Sequence, residues 1–191
     1  MIPSRSGMAA VVVMMSLVVA GCSDDAADSE ASTGASSGVT ICEPSGTAQP
    51  DDQLPAVAEI PVAIEALEAE LGGPQTYFEV NATARVVNLF VALNDGKLVQ
   101  PWLYVDGELT SQDGQSASGG TFTADELDFV PTEVLTEVRA EVPDAILESF
   151  YVNGDGAGNL QYGVLTSAQC GGGLDVVVGP DGAVKSVDPV N

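Results

Sequence analysis

The feature that most narrows the fold of this chain is an order of patterns that occurs twice. In the first half, Ile60-Pro61 opens an apolar stripe of Val57, Ile60, Ile64, Leu67 and Leu71 at spacings of three and four, with Glu65, Glu68 and Glu70 off the stripe. That periodicity predicts a helix with Pro61 in its first turn, stopped by Gly72-Gly73-Pro74. Phe78, Val80, Ala82, Ala84 and Val86 then alternate with Tyr77, Glu79, Asn81, Thr83 and Arg85, as in a half-buried strand. The alternation slips by one residue to Val87, Leu89, Val91 and Leu93, so residues 77–93 are either one strand with a bulge or two strands. Asn94-Asp95-Gly96-Lys97 is a hairpin turn into a strand over 98–105, and Asp106-Gly107 turns into 108–110. Residues 111–121, rich in Ser, Gly, Gln and Asp, read as a surface loop.

The second half repeats the order. Val130-Pro131 opens a helix with Val134, Leu135, Val138 and Val142 on one face, stopped at Pro143. Residues 146–152, 160–168 and 174–178 read as strands, 153–159 as a Gly-rich turn, and Pro180-Asp181-Gly182 turns into a strand over 183–187. The expected fold is α+β: an antiparallel sheet with two helices packed on one face, in a single domain over 41–191. Matching Ile60-Pro61 to Val130-Pro131, and the Asp-Gly turns to each other, suggests a duplicated α-β-β-β unit with half-repeats 56–110 and 126–188. Coincidence is the alternative, because few residues are identical between the halves. The element order and the closing Val-x-x-Asp-Gly-x-Val pattern, here Val178 to Val184, are similar to those of PepSY-type domains and lactamase-inhibitor-like proteins. That resemblance implies a binding or inhibitory role in a cell envelope, and it carries no functional residue with it.

The N-terminus differs in kind from the rest. Residues 1–21 contain one charged side chain, Arg5, followed by an uncharged run over 8–20. A bilayer core needs roughly twenty helical residues to cross, so this run suits the central region of a signal peptide better than a stable span. Val19-Ala20-Gly21-Cys22 resembles the lipobox of bacterial lipoproteins. The resemblance implies cleavage between Gly21 and Cys22, a diacylglycerol thioether on the Cys22 sulfur and an N-acyl chain on its amine. It therefore implies a protein anchored to a cell membrane on the extracytoplasmic side. Each buried methylene would add ~0.8 kcal/mol to that anchorage. An ordinary secretory signal with a coincidental cysteine is the alternative. Residues 22–40 hold Asp, Ser, Ala, Thr and Gly without an aromatic side chain, and they read as a tether with too little apolar surface to fold.

With Cys22 committed to lipid, Cys42 and Cys170 remain, and an oxidising compartment makes a disulfide between them the default. A redox or metal-binding thiol pair is the alternative, although the chain has no Cys-x-x-Cys motif. It also has no histidine, which removes Ser-His-Asp and Cys-His catalysis and the commonest metal ligand. All 28 acids lie beyond Cys22, against four bases there: Arg85, Lys97, Arg139 and Lys185. That surface repels nucleic acid and anionic headgroups, and would attract a cationic partner or a divalent ion.

Three places in the chain are candidate sites. Gln100, Trp102 and Tyr104 share one face of their strand, with Val99, Leu103 and Val105 on the other. If the aliphatic set meets the helices, the aromatic set is an open partner-binding surface; if not, it is core. Asp125, Glu126 and Asp128 cluster before the second helix, as an acid/base pair or as plain complements to the helix dipole. Residues 153–159 invite a calcium loop, but Ala157 stands at a ligand position, and a hairpin turn accounts for the glycines. The expected function is a non-enzymatic binding module of the envelope, with no catalytic residue, metal or cofactor beyond the lipid. Its partner would be a protein, peptide or lipid. The alternatives are a carrier of lipid or another small ligand, and a carboxylate- or calcium-dependent hydrolase.

Overall fold

The computed structural model describes residues 46 and 48–190; Gly21, Cys22, Cys42, the expected signal segment and the expected tether lie outside them. Two short 3-10 turns, Asp51–Gln53 and Val57–Glu59, lead into helix α1, Ile60–Leu71. Its buried side chains are Ile60, Ala63, Ile64 and Leu67, the predicted stripe shifted so that Leu71, at 40% exposure, falls off the end. Gly72 ends the helix in the left-handed conformation, φ 81°, and the Gly73 amide donates to the Glu68 carbonyl at 2.8 Å.

Strands β1 (Thr76–Ala82), β2 (Val87–Leu93), β3 (Leu98–Val105) and β4 (Glu108–Ser111) follow as a meander. The two-residue strand β5 (Gln115–Ser116) interrupts the expected loop, β6 (Phe122–Thr123) follows it, and α2 spans Pro131–Glu141. Strands β7 (Ala145–Gly154), β8 (Leu160–Ala168), β9 (Gly173–Val178) and β10 (Val184–Val190) form a second meander. All pair antiparallel in one sheet of order β10-β9-β8-β7-β1-β2-β3-β4, with β5 against β3 and β6 against β1. The two meanders meet at β1 and β7 and step outward in opposite directions, each preceded by one helix.

The slip in alternation between Val86 and Val87 is a break between strands, β1 having already ended at Ala82. Residues 83–86 turn the chain, with the Thr83 amide donating to the Val86 carbonyl at 2.9 Å. A second irregularity had no visible sign in the sequence. Register shifts between Tyr77 and Glu79, leaving Phe78 as the bulged residue. The shift turns Tyr77, read as solvent-facing, into a fully buried residue, and releases Phe78 from the core.

Both helices cover the same face. Val80, Ala82, Val87, Leu89, Val91, Phe150, Val152, Val164 and Val176 from the strands join Ile60, Leu67, Val134 and Val138 in one continuous core. Each such side chain contributes ~1.5–3 kcal/mol on burial, so this layer supplies most of the folding energy. Among the described residues, no helix lies on the opposite face of the sheet.

Candidate functional site

The register decides which face is free. Val87 pairs with Tyr104, Leu89 with Trp102 and Val91 with Gln100, so all three residues proposed as an open surface stand beside the core row of β2. Tyr104 is 9% exposed and Trp102 packs against the core, its indole Nε1 buried with no hydrogen-bond partner. The expectation of a binding surface at Gln100, Trp102 and Tyr104 is therefore corrected, because this side of β3 is the helix-covered side. The free side holds Val99, Pro101, Leu103 and Val105.

On that free side a cleft of about 570 Å³ lies between the sheet and residues 116–118, with Phe78, Phe90 and Val99 as its apolar floor and Glu79 at one end. Each floor residue has a local cause. Phe90 lies between the core residues Leu89 and Val91, so the strand period of two points it outward. The bulge places Phe78 on the same side as its neighbour Glu79. The wall is fixed at both ends: Ser116 pairs with Leu98, Gln115 with Val99, and the Ala117 amide donates to the Lys97 carbonyl at 3.0 Å. At the far end Gly120 bridges Gly154 so closely that a Cβ on Gly120 would stand 2.6 Å from the Gly154 carbonyl oxygen. Only glycine permits that approach.

From the cleft a polar row crosses the free face. Asn81 donates to Glu79 Oε1 at 2.6 Å, and Asn88 donates to Asn81 Oδ1 at 2.7 Å. Further along, the Tyr151 hydroxyl donates to Asp175 Oδ1 at 2.9 Å and accepts from Gln161 at 3.4 Å. To reach Asp175 on β9, the Tyr151 ring lies over Gly163 of the intervening β8, with which it is paired. Burial and the hydrogen bond to Asp175 push the Tyr151 hydroxyl up to about 12, which keeps it a donor at neutral pH. Tyr77 and Tyr162, on the core side, are also raised, in each case first by burial.

The remaining sequence candidates are placed elsewhere. Asp125, Glu126 and Asp128 are all exposed. Glu126 Oε2 closes a capping box by accepting from the Thr123 amide at 2.7 Å and hydroxyl at 2.9 Å. Asp155 Oδ1 accepts the amides of Ala157 at 2.7 Å and Asn159 at 3.0 Å, and its Oδ2 accepts the Asn159 side chain at 2.9 Å. These bonds hold a hairpin turn and lower the Asp155 pKa; the side-chain bond from Asn159 contributes most. Among the described residues, no three or more Cys, Asp or Glu side chains are grouped to hold a metal, and no helix is long and apolar enough to cross a membrane. Cys170, in the turn between β8 and β9, is disulfide-bonded.

The cleft thus joins an aromatic and aliphatic floor to one carboxylate, Glu79, and to the neighbouring side-chain amides of Asn81 and Asn88. Ser116 and Ser118 are the hydroxyls lining the cleft, and among the described residues neither is hydrogen-bonded to a carboxylate or amine. Comparison with protein-family models, with curated proteins and with solved structures finds no match to the chain.

Proposed function

We propose that the chain is an extracytoplasmic lipoprotein, anchored through Cys22, whose domain is a binding module that receives its partner on the free face of the sheet. The observation that carries this reading is the cleft over Phe78, Phe90 and Val99, continuous with the row from Glu79 to Asn88, on a face that no helix among the described residues covers. Half-buried aromatic side chains beside fixed hydrogen-bonding groups are what an interface core requires. The disulfide at Cys170 supports an oxidising compartment, and Cys42 is the partner this reading assigns to it. In this reading neither a metal nor a catalytic group takes part. The lipid fixes the domain to the membrane and the cleft selects the partner.

The test is photocrosslinking from the native envelope with a benzophenone side chain in place of Phe90, compared with the same group at Glu108 on the β4 edge. A discrete adduct from position 90 that is absent from position 108 supports the reading. Equal or absent labelling at both positions removes it. Separately, Cys22→Ala abolishes detergent partitioning if Cys22 is the anchor, and unchanged partitioning refutes the anchorage alone.

A further inference from the structure

On the helix-covered side, away from the cleft, lies a groove of about 440 Å³ between helix α1 and the segment that enters α2. Pro61 and Ile64 of α1 and Leu127 and Phe129 of the opposite wall give it an apolar lining. Its volume falls in the roughly 300–1,000 Å³ range of sites that enclose ligand groups. Both walls are rigid for visible reasons. Glu68 Oε1 accepts the Gln75 amide at 3.1 Å and the Tyr77 hydroxyl at 3.2 Å, which ties the exit of α1 to β1. Opposite, the capping box fixes residues 123–126, and the Asp128 amide donates to the Tyr162 hydroxyl at 3.1 Å. Phe129 is held against Phe150 and Tyr162 at centroid distances of 5.3 and 6.0 Å.

The charge on this groove is of one sign. Glu65 and Glu68 line it from α1, and the exposed Asp125, Glu126 and Asp128 alternate in sequence with the residues of the opposite wall, Ala124, Leu127 and Phe129. No Lys or Arg lines it. Of the described bases, Arg139 is paired with Asp51 at 3.1 Å, and Arg85 lines a different cleft, with Asp106 and Tyr104. The two carboxylates that line this apolar slot, Glu65 and Glu68, repel one another, and a complementary occupant relieves that repulsion while covering Ile64, Leu127 and Phe129. Val130, 44% exposed and next in sequence to Phe129, extends the apolar surface at the mouth.

We infer that this groove is a docking site for a basic amphipathic peptide segment of a partner protein, whose apolar side chains enter between α1 and residues 124–131 while its Lys or Arg side chains meet Glu65, Glu68 and the facing acids. The inference is independent of the free-face reading, because the two sites lie on opposite sides of the sheet. It gives the acids at 125, 126 and 128, expendable to the fold apart from the cap, a shared electrostatic role.

The test titrates the full chain, in phosphatidylcholine vesicles, with a synthetic Leu/Lys peptide of helical spacing, and with a scrambled peptide of the same composition. Protein-free vesicles supply the background. The ordered peptide is expected to bind one per chain, and to weaken about tenfold or more as added salt shortens the screening length. Glu65→Lys should weaken it about tenfold, since it replaces an attraction by a repulsion at the groove. Glu108→Lys, the same charge change on the β4 edge, should leave it unchanged. Ala124→Leu, which adds bulk to the wall, should block it without changing the circular dichroism of the protein. Equal binding of the scrambled peptide, or equal loss from Glu108→Lys, would mean a diffuse attraction to the acidic surface and would overturn the site. Undiminished binding to Ala124→Leu, or displacement by an uncharged alkyl detergent as readily as by peptide, would overturn it as well.

Discussion

Gly163→Ala is the substitution whose effect follows most directly from the packing on the free face. A Cβ at residue 163 would stand 2.6 Å from Tyr151 Cε1 and closer still to Cζ and the hydroxyl. The β8 backbone has no room to retreat, because it is paired with β7 on one side and β9 on the other. The ring must therefore leave its seat. Tyr151 is 7% exposed where it lies, so its departure forfeits most of an aromatic side chain's burial, ~1.5–3 kcal/mol. It also breaks the bond to Asp175, worth ~0.5–1.5 kcal/mol net. Alanine returns ~0.5–1 kcal/mol of the backbone entropy that a strand glycine costs. The expected net loss is ~1–4 kcal/mol, read as a lower urea midpoint at unchanged slope.

A cycle separates this mechanism from a general intolerance of side chains at residue 163. Once Tyr151→Ala has removed the ring, Gly163→Ala should cost nothing further and should become slightly stabilising. The two substitutions should therefore be non-additive by ~2–4 kcal/mol, the burial and hydrogen bond that the displaced ring gives up. Tyr151→Phe, which keeps the ring over Gly163 and removes only the hydroxyl, should cost ~0.5–1.5 kcal/mol. If Gly163→Ala is as costly in the Tyr151→Ala background as in the parent, the clash is not with the ring and the reasoning fails. The same holds if Gly163→Ala alone is neutral.

Further expectations concern the cleft wall, alkaline pH and the disulfide. Gly120→Ala forces backbone apart where Gly120 meets Gly154, so hydrogen exchange at the amides of 115–121 should quicken much more than exchange in β8; uniform protection across both would contradict the pinning of that loop. Tyr151 has a folded pKa of about 12 against an ordinary value of 10.0, so its contribution is complete below pH 10 and is lost as pH rises towards 12. Tyrosinate absorbance should accordingly show phenols titrating late in the folded protein, with stability falling across that window, whereas titration of every tyrosine near 10 would contradict the burial. Reduction should lower stability by up to ~5 kcal/mol if the bond at Cys170 closes the long loop back to Cys42. Peptide mapping that joins Cys170 to Cys22 instead would refute both that pairing and the lipid on Cys22.

The sequence made the elements legible because their boundaries are written in local chemistry. Ile60-Pro61 and Val130-Pro131 preset a helical first turn, Gly72 takes the left-handed stop, and Asn94, Asp95 and Gly96 adopt the positive φ values their hairpin needs. The bulge at Phe78 was not legible. It depends on the fit of β1 between two neighbours, and no residue in Thr76–Ala82 marks it. For the same reason the cleft floor escaped notice, since regular alternation would have sent Phe78 into the core and Glu79 away from it.

The orientation of β3 is a different case, because the information was present but lay in its neighbour. Within β3 both faces are apolar, Trp102 and Tyr104 against Val99, Leu103 and Val105, so hydrophobicity alone cannot choose. The turn at residues 94–97 closes the hairpin with Leu93 opposite Leu98. Counting back from it sets Val91 against Gln100, Leu89 against Trp102 and Val87 against Tyr104. On β2 the choice is no longer balanced. Val87, Leu89 and Val91 share a face, and the other begins with Asn88, whose amide could be buried only at a cost of ~1–3 kcal/mol without a partner. Asn88 therefore marks the uncovered side, and Asn81, its register partner on β1, marks the same side. Two asparagines opposite each other place Trp102 and Tyr104 under the helices and expose Phe90 beside them. The residues that betray the free face are thus the ones that also furnish its hydrogen bonds, which is why that face is identified from its polar row before its apolar cleft.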